Sequence, residues 1–263
     1  MLTTTLFAPR DTEAYPPCGM FTATHFFALF VTLVCVGIGL YLCRKITLDK
    51  LKFATKIVAI CVTVLECIKI GYNFAYDYTW LDAWIPLAFC SIFIYASWMA
   101  GFGKGTLEKF GDAFLLGGCP IAGFAFLLFP TTSLQLHPIY HFLCIHSMLF
   151  HGAMLWLGLL YLFRGKDIPD LKTFRNYARC FTLFAIPALI LNATTGSNMM
   201  FLRQPFNMPI QLLNKLYDAS QILYTVLIFC VYLACYLGSV GIYKLVTYIK
   251  IKKESTEQVS ATT

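Results

Sequence analysis

Charged side chains are scarce in this chain, since only 13% of its 263 residues are Asp, Glu, Lys or Arg. Soluble globular domains carry about 25%. Hydrophobic residues make up 59% of the chain, so the composition excludes a soluble globular protein and predicts an integral membrane protein. The N-terminal residues also lack a basic stretch that leads directly into an apolar one, so no signal peptide is predicted.

Disulfide and metal-binding motifs are also missing. The 11 cysteines contain no Cys-x-x-Cys pair and no strong zinc spacing. Nearly all of them lie inside apolar stretches, where cysteine usually acts as a small hydrophobic residue. We therefore predict no disulfide, no metal ion and no other cofactor. The spacing of His137, His141 and Cys144 leaves a zinc patch open as an alternative.

Apolar stretches of about 20 residues, the length that crosses a bilayer as a helix, are abundant. They predict an all-α polytopic membrane protein with a seven-transmembrane-helix bundle, whose segments are 21–43, 53–75, 83–102, 112–130, 138–163, 177–195 and 211–247. The predicted domains are an outer N-terminal tail, 1–20, a membrane domain, 21–247, and a cytoplasmic polar tail, 248–263.

Lysine and arginine are distributed unevenly between the predicted loops. Most of the 20 lie at 44–56, at 103–111, at 164–179 and in the C-terminal part from Lys244 onwards. Positive residues concentrate on the cytoplasmic side of a membrane. We therefore predict the N-terminus outside and the C-terminus in the cytoplasm, in the plasma membrane if the source is bacterial. The asymmetry accounts for the net charge of +7, so no nucleic-acid partner is predicted.

Two predicted segments carry ionisable residues, which are costly inside a membrane and are therefore functional candidates. Glu66 and Lys69 are three residues apart on one helix face, so we expect them to pair. The segment 138–163 carries His141, His146 and His151. Each of these histidines either makes a structural hydrogen bond or lines a wet cavity, and three in one helix favour a cavity for at least one.

The stretch 192–206 is rich in groups that bind polar ligands. Asn192 and Asn198 provide donors and acceptors, and Gly196 permits a turn with positive φ. Arg203 is one of few positive residues on the predicted outer side. Its guanidinium suits bidentate binding of an anion such as phosphate, and the alternative is an exposed residue at the rim of the bundle.

Four stretches in order, THFFAL, IPLAFCS, HFLCIHSMLFHG and NATTGSNMMFLRQP, resemble one family. This is the YwaF-type family of bacterial integral membrane proteins, whose animal relatives include a TMEM-class ether-phospholipid (plasmalogen) acyltransferase. Met199 departs from the family pattern, which usually has tyrosine there. The resemblance implies a seven-helix fold and a Cys–His pair that carries an acyl thioester on phospholipid or lysophospholipid substrates.

By position, the resemblance implies that Cys90 is the nucleophile and His151 the general base. Depth along the helices, at about 1.5 Å per residue, instead places His146 closer to Cys90, so His146 stays the alternative base. The predicted substrate-binding residues are Asn192, Asn198, Arg203, His141 and His25.

The chemistry explains why a histidine would lie in hydrocarbon. A thiol attacks an ester as the thiolate, and an adjacent imidazole can take its proton. The predicted function is a membrane-embedded lipid acyltransferase, or lipid hydrolase, that works through an acyl thioester. The alternative is a small-solute transporter or permease that uses Glu66 and the intramembrane histidines, and a receptor or scaffold ranks last.

Overall fold

The structure, a computed structural model, describes residues 6–10, 15–206 and 210–262. Within these ranges the chain forms helices and no strand, which confirms the all-α prediction. The helices are α1 Ala23–Leu42, α2 Leu48–Ala75, α3 Leu81–Trp84, α4 Ile92–Phe102, α5 Thr106–Gly117, α6 Cys119–Leu128, α7 Phe142–Arg164, α8 Leu171–Thr195, a 3₁₀ turn Met199–Phe201, α9 Gln211–Ala219 and α10 Gln221–Thr262.

Capping side chains determine where several helices begin. At the start of α8, the carboxylate of Asp170 accepts a hydrogen bond from the Thr173 amide at 2.7 Å, which lowers the pKa of Asp170. Thr22 and Thr47 cap α1 and α2 in the same way. Helix α8 ends at Gly196, whose φ of +75° is a left-handed conformation that glycine adopts without steric cost.

Several helices are long and apolar enough to cross a membrane. Among the described residues, four helices meet both the length and the hydropathy expected of a membrane crossing: Ala23–Leu42, Phe142–Arg164, Leu171–Thr195 and Gln221–Thr256. The bent pair α5 and α6 would make a fifth crossing. These helices support a multi-pass membrane protein. The count of seven crossings and the orientation of the termini are not confirmed and stay predictions.

The predicted segment 83–102 is not one helix. Short α3 and longer α4 are separated by the non-helical residues 85–91. Pro86 lies in this non-helical part. Proline disfavours helical geometry in the residue before it, and Ile85 accordingly has the extended angles φ −81° and ψ 114°.

The segment 112–130 is also divided. Helices α5 and α6 meet at Gly117 and Gly118 with a bend of 43°. A Cβ on Gly117 would lie 2.4 Å from the ring of Tyr236, so close packing on α10 requires glycine here. Pro187, by contrast, lies inside the continuous helix α8.

The basic loops meet at one end of the bundle, which we call the basic end and define by Lys52, Glu108, Asp112 and Lys166. Glu108 accepts from Lys52 at 2.8 Å and from Lys166 at 2.9 Å. The ammonium of Lys166 also lies 2.9 Å from a carboxylate oxygen of Asp112, which is a buried residue. These ion pairs join the first two turns of α2 and α5 to the loop before α8.

The opposite end, which we call the far end, comprises residues 6–10, 15–22, 76–82, 129–141 and 196–206. Here the Cys18 amide donates to the His137 carbonyl at 3.0 Å. The Asn198 amide donates to the Asp82 carboxylate at 3.0 and 3.1 Å. The far end is therefore a connected layer of loops above the helices.

Candidate functional site

Cys90 lies in the non-helical segment 85–91, two residues before α4. Its side chain is partly buried, whereas Cys119 and Cys180 are fully buried. The preceding residue, Phe89, stacks on Tyr232 of α10 with ring centroids 4.2 Å apart and planes within 5°. This contact anchors the broken segment to α10 and places Cys90 at the edge of the packed core.

The titratable groups that interact with Cys90 are Cys119, Cys235 and the phenol of Tyr232. In the part of the chain that the structure describes, no hydrogen bond joins the Cys90 thiol to a histidine. The structure therefore does not show the predicted Cys–His pair as a contact, and the pair stays a prediction. All 11 cysteines lie within the described residues and are free, and no cluster of potential metal ligands is found there.

Two histidines predicted to bind substrate are engaged by the backbone through both ring nitrogens. His25 accepts from the Phe21 amide at Nδ1 and contacts the Leu127 carbonyl through Nε2 at 2.9 Å. His141 accepts from the Leu143 amide at Nδ1 and contacts the Ala8 carbonyl through Nε2 at 3.0 Å. Since a carbonyl only accepts, Nε2 carries the proton in each ring. These contacts give both histidines a structural role, and their part in substrate binding stays a prediction.

The predicted pair of Glu66 and Lys69 is present, with the ammonium 2.6 Å from one carboxylate oxygen. The other oxygen lies 3.6 Å from Nε2 of His146 on α7. Glu66 and His146 are 5% and 7% exposed, so the carboxylate and the imidazole are withdrawn from solvent, whereas Lys69 is half-buried.

His151 differs from the other histidines of α7. Its Nδ1 lies 2.8 Å from the carbonyl oxygen of Ser147, one turn earlier. Because the carbonyl only accepts, Nδ1 carries the proton and Nε2 of the neutral ring keeps a free lone pair. Nε2 is buried and has no hydrogen-bond partner. The ring stacks on Phe126 with centroids 3.6 Å apart, which fixes its orientation.

His137 lies in the loop before α7, at the far end. Its ring stacks on His141 with centroids 4.1 Å apart. Burial, with smaller contributions from the charges of His141 and Arg10, lowers the pKa of His137 to about 3. His137 is therefore neutral at physiological pH, and its Nε2 is buried without a hydrogen-bond partner.

Asn192 holds the loop that follows α8. Its side-chain oxygen accepts from the Met199 amide at 2.6 Å, and its side-chain nitrogen donates to the Met199 carbonyl at 3.0 Å. The next residues, Met200 and Phe201, have φ of 56° and 51°, which is unfavourable for residues with a side chain. The side-chain amide of Asn192 thus organises a strained turn, and its predicted part in substrate binding stays a prediction.

Asn198 organises the same loop from its exposed side. Its side-chain oxygen accepts from the amides of Arg203 and Gln204, both at 3.1 Å. Its side-chain nitrogen donates to the Gln204 carbonyl at 2.9 Å. Because every one of these bonds is to the loop backbone, the predicted substrate role of Asn198 stays a prediction.

A cavity of about 330 Å³, which we call the far-end pocket, opens between the end of α8 and the start of α10. It is lined by Leu189, Asn192, Ala193, Gly196, Leu202, Arg203, Gln221 and Thr225. Arg203 is half-buried there, and one guanidinium N–H donates to the Gly196 carbonyl. The structure thus brings two predicted substrate-binding residues, Asn192 and Arg203, to one pocket.

A second cavity of about 250 Å³ lies at the basic end. Its charged lining residues include Lys52, Glu108, Asp112 and Lys166. Burial lowers the pKa of Lys166, but hydrogen bonds to Asp112 and Glu108 outweigh this effect and raise it above the usual value. The ion pairs of the basic end thus balance the two lysines that line this cavity against Glu108 and Asp112. Asp49 also lines the cavity.

Sequence reasoning missed the contact between Glu66 and His146. Both residues stand out as ionisable groups in apolar segments, but they are 80 positions apart and their helices carry no signal of contact. It also missed Tyr232, which holds the segment of Cys90 in place and donates to the Met200 carbonyl at 2.7 Å.

Comparison with known proteins gives one family. Neither the curated proteins nor the solved structures contain a match. The model of the TMEM164 family matches residues 20–239, a range that includes Cys90, the three histidines of the 138–163 segment and the far-end pocket. This supports the TMEM-class part of the resemblance, whereas the relationship to YwaF-type proteins and to an acyltransferase is not confirmed. The chain belongs to the TMEM164 family of membrane proteins.

Proposed function

We propose that this protein is a membrane-embedded lipid acyltransferase, or lipid hydrolase, with Cys90 as nucleophile and His151 as general base. The proposal rests on the hydrogen bonding of the two ring nitrogens of His151. Among the five histidines, it is the one whose Nδ1 proton is fixed by a backbone carbonyl while Nε2 keeps an unpartnered lone pair. A general base needs that free lone pair.

The accessibility of Cys90 supports the choice of nucleophile. Cys90 is partly accessible and lies in a non-helical segment, whereas the thiols of Cys119 and Cys180 are sealed in the core. In the proposed reaction, the stacking of Phe89 on Tyr232 holds the backbone of the 85–91 segment. Side-chain rearrangement on substrate binding brings the Cys90 thiol to Nε2 of His151, since catalytic contacts often tighten only in the substrate complex.

The proposed reaction has two steps. Nε2 of His151 takes the Cys90 proton, the thiolate attacks the acyl carbonyl of a phospholipid, and a C–S bond forms while the ester C–O bond breaks. The imidazolium returns the proton to the departing lysolipid oxygen. A lysophospholipid hydroxyl, or water in a hydrolase, then gives its proton to Nε2, attacks the thioester and releases the Cys90 thiol.

A direct test is to look for acyl-Cys90. The full chain in lipid nanodiscs is mixed with a phospholipid that carries an isotope-labelled acyl chain, and peptides are analysed by mass spectrometry. We expect the labelled acyl group on Cys90, no acylation in Cys90→Ala, and unchanged acylation of Cys90 in the control Cys235→Ala, which removes a neighbouring, partly buried thiol. Lipid turnover that continues in Cys90→Ala would refute the proposal.

A second candidate function is a small-solute transporter, favoured by the buried contact of Glu66 with His146. Intramembrane carboxylates and imidazoles can couple proton movement to transport. Proteoliposomes that contain a pH-sensitive dye would show proton uptake that is lost in Glu66→Gln and kept in Cys90→Ala. Equal dye signals for Glu66→Gln and the unaltered protein would exclude this candidate.

A further inference from the structure

We infer that the far-end pocket binds the phosphate group of a lipid headgroup, with Arg203 as its anion contact. This inference deepens the proposed function and rests on it for the identification of the lipid as substrate. Such a ligand has a phosphate group that reaches Arg203 in the pocket and an apolar portion that lies along the helices outside the pocket.

Arg203 is the reason to expect an anion. It is half-buried, and among the described residues no carboxylate lies within 4 Å of its guanidinium. Withdrawing an unpaired charge from water is costly. Of five guanidinium N–H groups, one donates to the Gly196 carbonyl. The others remain available for bidentate contact with phosphate, a geometry that arginine suits.

Gln221 provides a second donor to the same pocket. Its side-chain nitrogen donates one hydrogen to the Arg203 carbonyl at 3.3 Å, which leaves its second hydrogen for a ligand. The volume of about 330 Å³ falls within the usual range of small-molecule sites, roughly 300–1,000 Å³. The pocket therefore combines a cation, a neutral donor and enough room for a headgroup.

The surroundings of the pocket indicate that the ligand is a lipid. Its walls include Leu189 and Ala193 of α8, both exposed. Large apolar side chains continue outward from it on both helices and are 52–78% exposed at Ile186, Ile190, Ile222, Leu223 and Val226. Exposed apolar surface of this kind is what acyl chains contact in a bilayer. A lipid can thus place its phosphate at Arg203 and its chains along α8 and α10.

The cavity at the basic end provides an internal comparison. Its lysines are paired with Glu108 and Asp112, so their charges are balanced without a ligand. The far-end pocket lacks such a partner for Arg203 among the described residues. Of the two cavities, the far-end pocket is therefore the one that presents a cation without a carboxylate partner among the described residues.

The inference can be tested by native mass spectrometry of the full chain in detergent. To prevent turnover, every protein carries Cys90→Ala. The probes are phosphatidylcholine and a diacylglycerol with the same acyl chains, which lacks the phosphocholine group. Arg203→Gln removes the cation, Ala193→Phe fills the pocket while leaving Arg203 in place, and Lys215→Gln removes an exposed basic residue that does not line the pocket.

We expect phosphatidylcholine affinity to fall about tenfold or more in Arg203→Gln, as for the loss of a hydrogen bond to a charged group. The affinity for phosphatidylcholine should also fall in Ala193→Phe and be unchanged in Lys215→Gln. The affinity for diacylglycerol should be the same in all of these variants and in the parent. Competition by millimolar inorganic phosphate would identify free phosphate as a second source of the same anion, and no competition would identify the lipid alone.

Unchanged phosphatidylcholine affinity in folded Arg203→Gln would overturn the inference, whatever Ala193→Phe shows. If Arg203→Gln does not fold, unchanged affinity in Ala193→Phe would overturn it. The experiment does not depend on catalysis, because Cys90→Ala is present throughout. Binding at Arg203 without any acyl-Cys90 in the earlier test would therefore refute the proposed reaction and leave the phosphate site standing.

Discussion

Substitution of Asn192 by alanine is expected to destabilise the far end strongly. Asn192 is 6% exposed, and its side chain satisfies both the amide and the carbonyl of buried Met199. The alanine variant leaves the Met199 amide without a partner and removes one of two bonds to the Met199 carbonyl, which keeps its bond from the Leu202 amide at 3.2 Å. Both groups lie next to Met200 and Phe201, which have left-handed conformations. The loop must then relax or lose its hydrogen bonds.

The magnitude follows from the two lost bonds. An unsatisfied buried polar group costs about 1–3 kcal/mol, although side-chain hydrogen bonds in membrane proteins average about 0.6 kcal/mol. For one unsatisfied buried amide and one lost bond to a carbonyl that keeps another partner, we expect a total loss of about 2 kcal/mol, which lowers the unfolding temperature by about 4–8 °C.

Asn198→Ala is the matched control. Asn198 makes three bonds to the loop backbone, with the Arg203 amide and with the amide and carbonyl of Gln204. These bonds lie closer to the surface, where water can replace the lost partner. We therefore expect a smaller loss than for Asn192→Ala, although more bonds are removed.

The assay is thermal unfolding followed with a thiol-reactive fluorescent dye. Cys119, Cys144 and Cys180 are fully buried and become reactive only when the bundle opens. A shift for Asn192→Ala below about 1 °C, or one no larger than that for Asn198→Ala, would show that Asn192 does not hold the loop as described.

Two further predictions concern packing and pH. A Cβ on Gly111 would lie 2.5 Å from a backbone nitrogen of α4, so Gly111→Ala should cost about 1–3 kcal/mol. Gly37→Ala, with nothing within 4 Å, should be neutral or stabilising, and equal unfolding temperatures would contradict the packing argument. Burial above all, with the charges of His141 and Arg10, lowers the folded-state pKa of His137 to about 3, below an unfolded value of about 6.5. Its contribution to stability is therefore full above about pH 6.5 and declines as the pH falls towards about 3. In unfolding scans from pH 7 to pH 4, His137→Gln should be less pH-dependent than the parent, and identical profiles would refute the assignment.

Local patterns in the sequence were enough to predict the first segment and the basic loops. The segment 21–43 corresponds to α1, Ala23–Leu42, because a continuous apolar stretch leaves few alternatives in a membrane. The 83–102 segment was predicted as one helix, since proline is tolerated in the first turn of a helix and also interrupts helices. The stacking of Phe89 on Tyr232, 143 positions away, is part of the packing that accompanies the break, and no local pattern records it.

The candidate site shows the same limit. The pairing of Glu66 with Lys69 follows from a spacing of three residues on one helix and is present. The approach of His146 to Glu66 depends on how α2 and α7 pack. The free Nε2 of His151 depends on the bond between Nδ1 and the Ser147 carbonyl. The residue types alone do not determine which ring nitrogen makes that bond.

The most direct test of the proposed chemistry is the rate at which labelled acyl groups appear on Cys90 in a single turnover, measured in His151→Gln and in His146→Gln. General base catalysis contributes about 10²- to 10⁴-fold. We predict that His151→Gln slows acylation of Cys90 by about 100-fold or more and that His146→Gln leaves it within about threefold of the parent. Equal rates for His151→Gln and the parent, or acyl groups that never reach Cys90, would contradict the account.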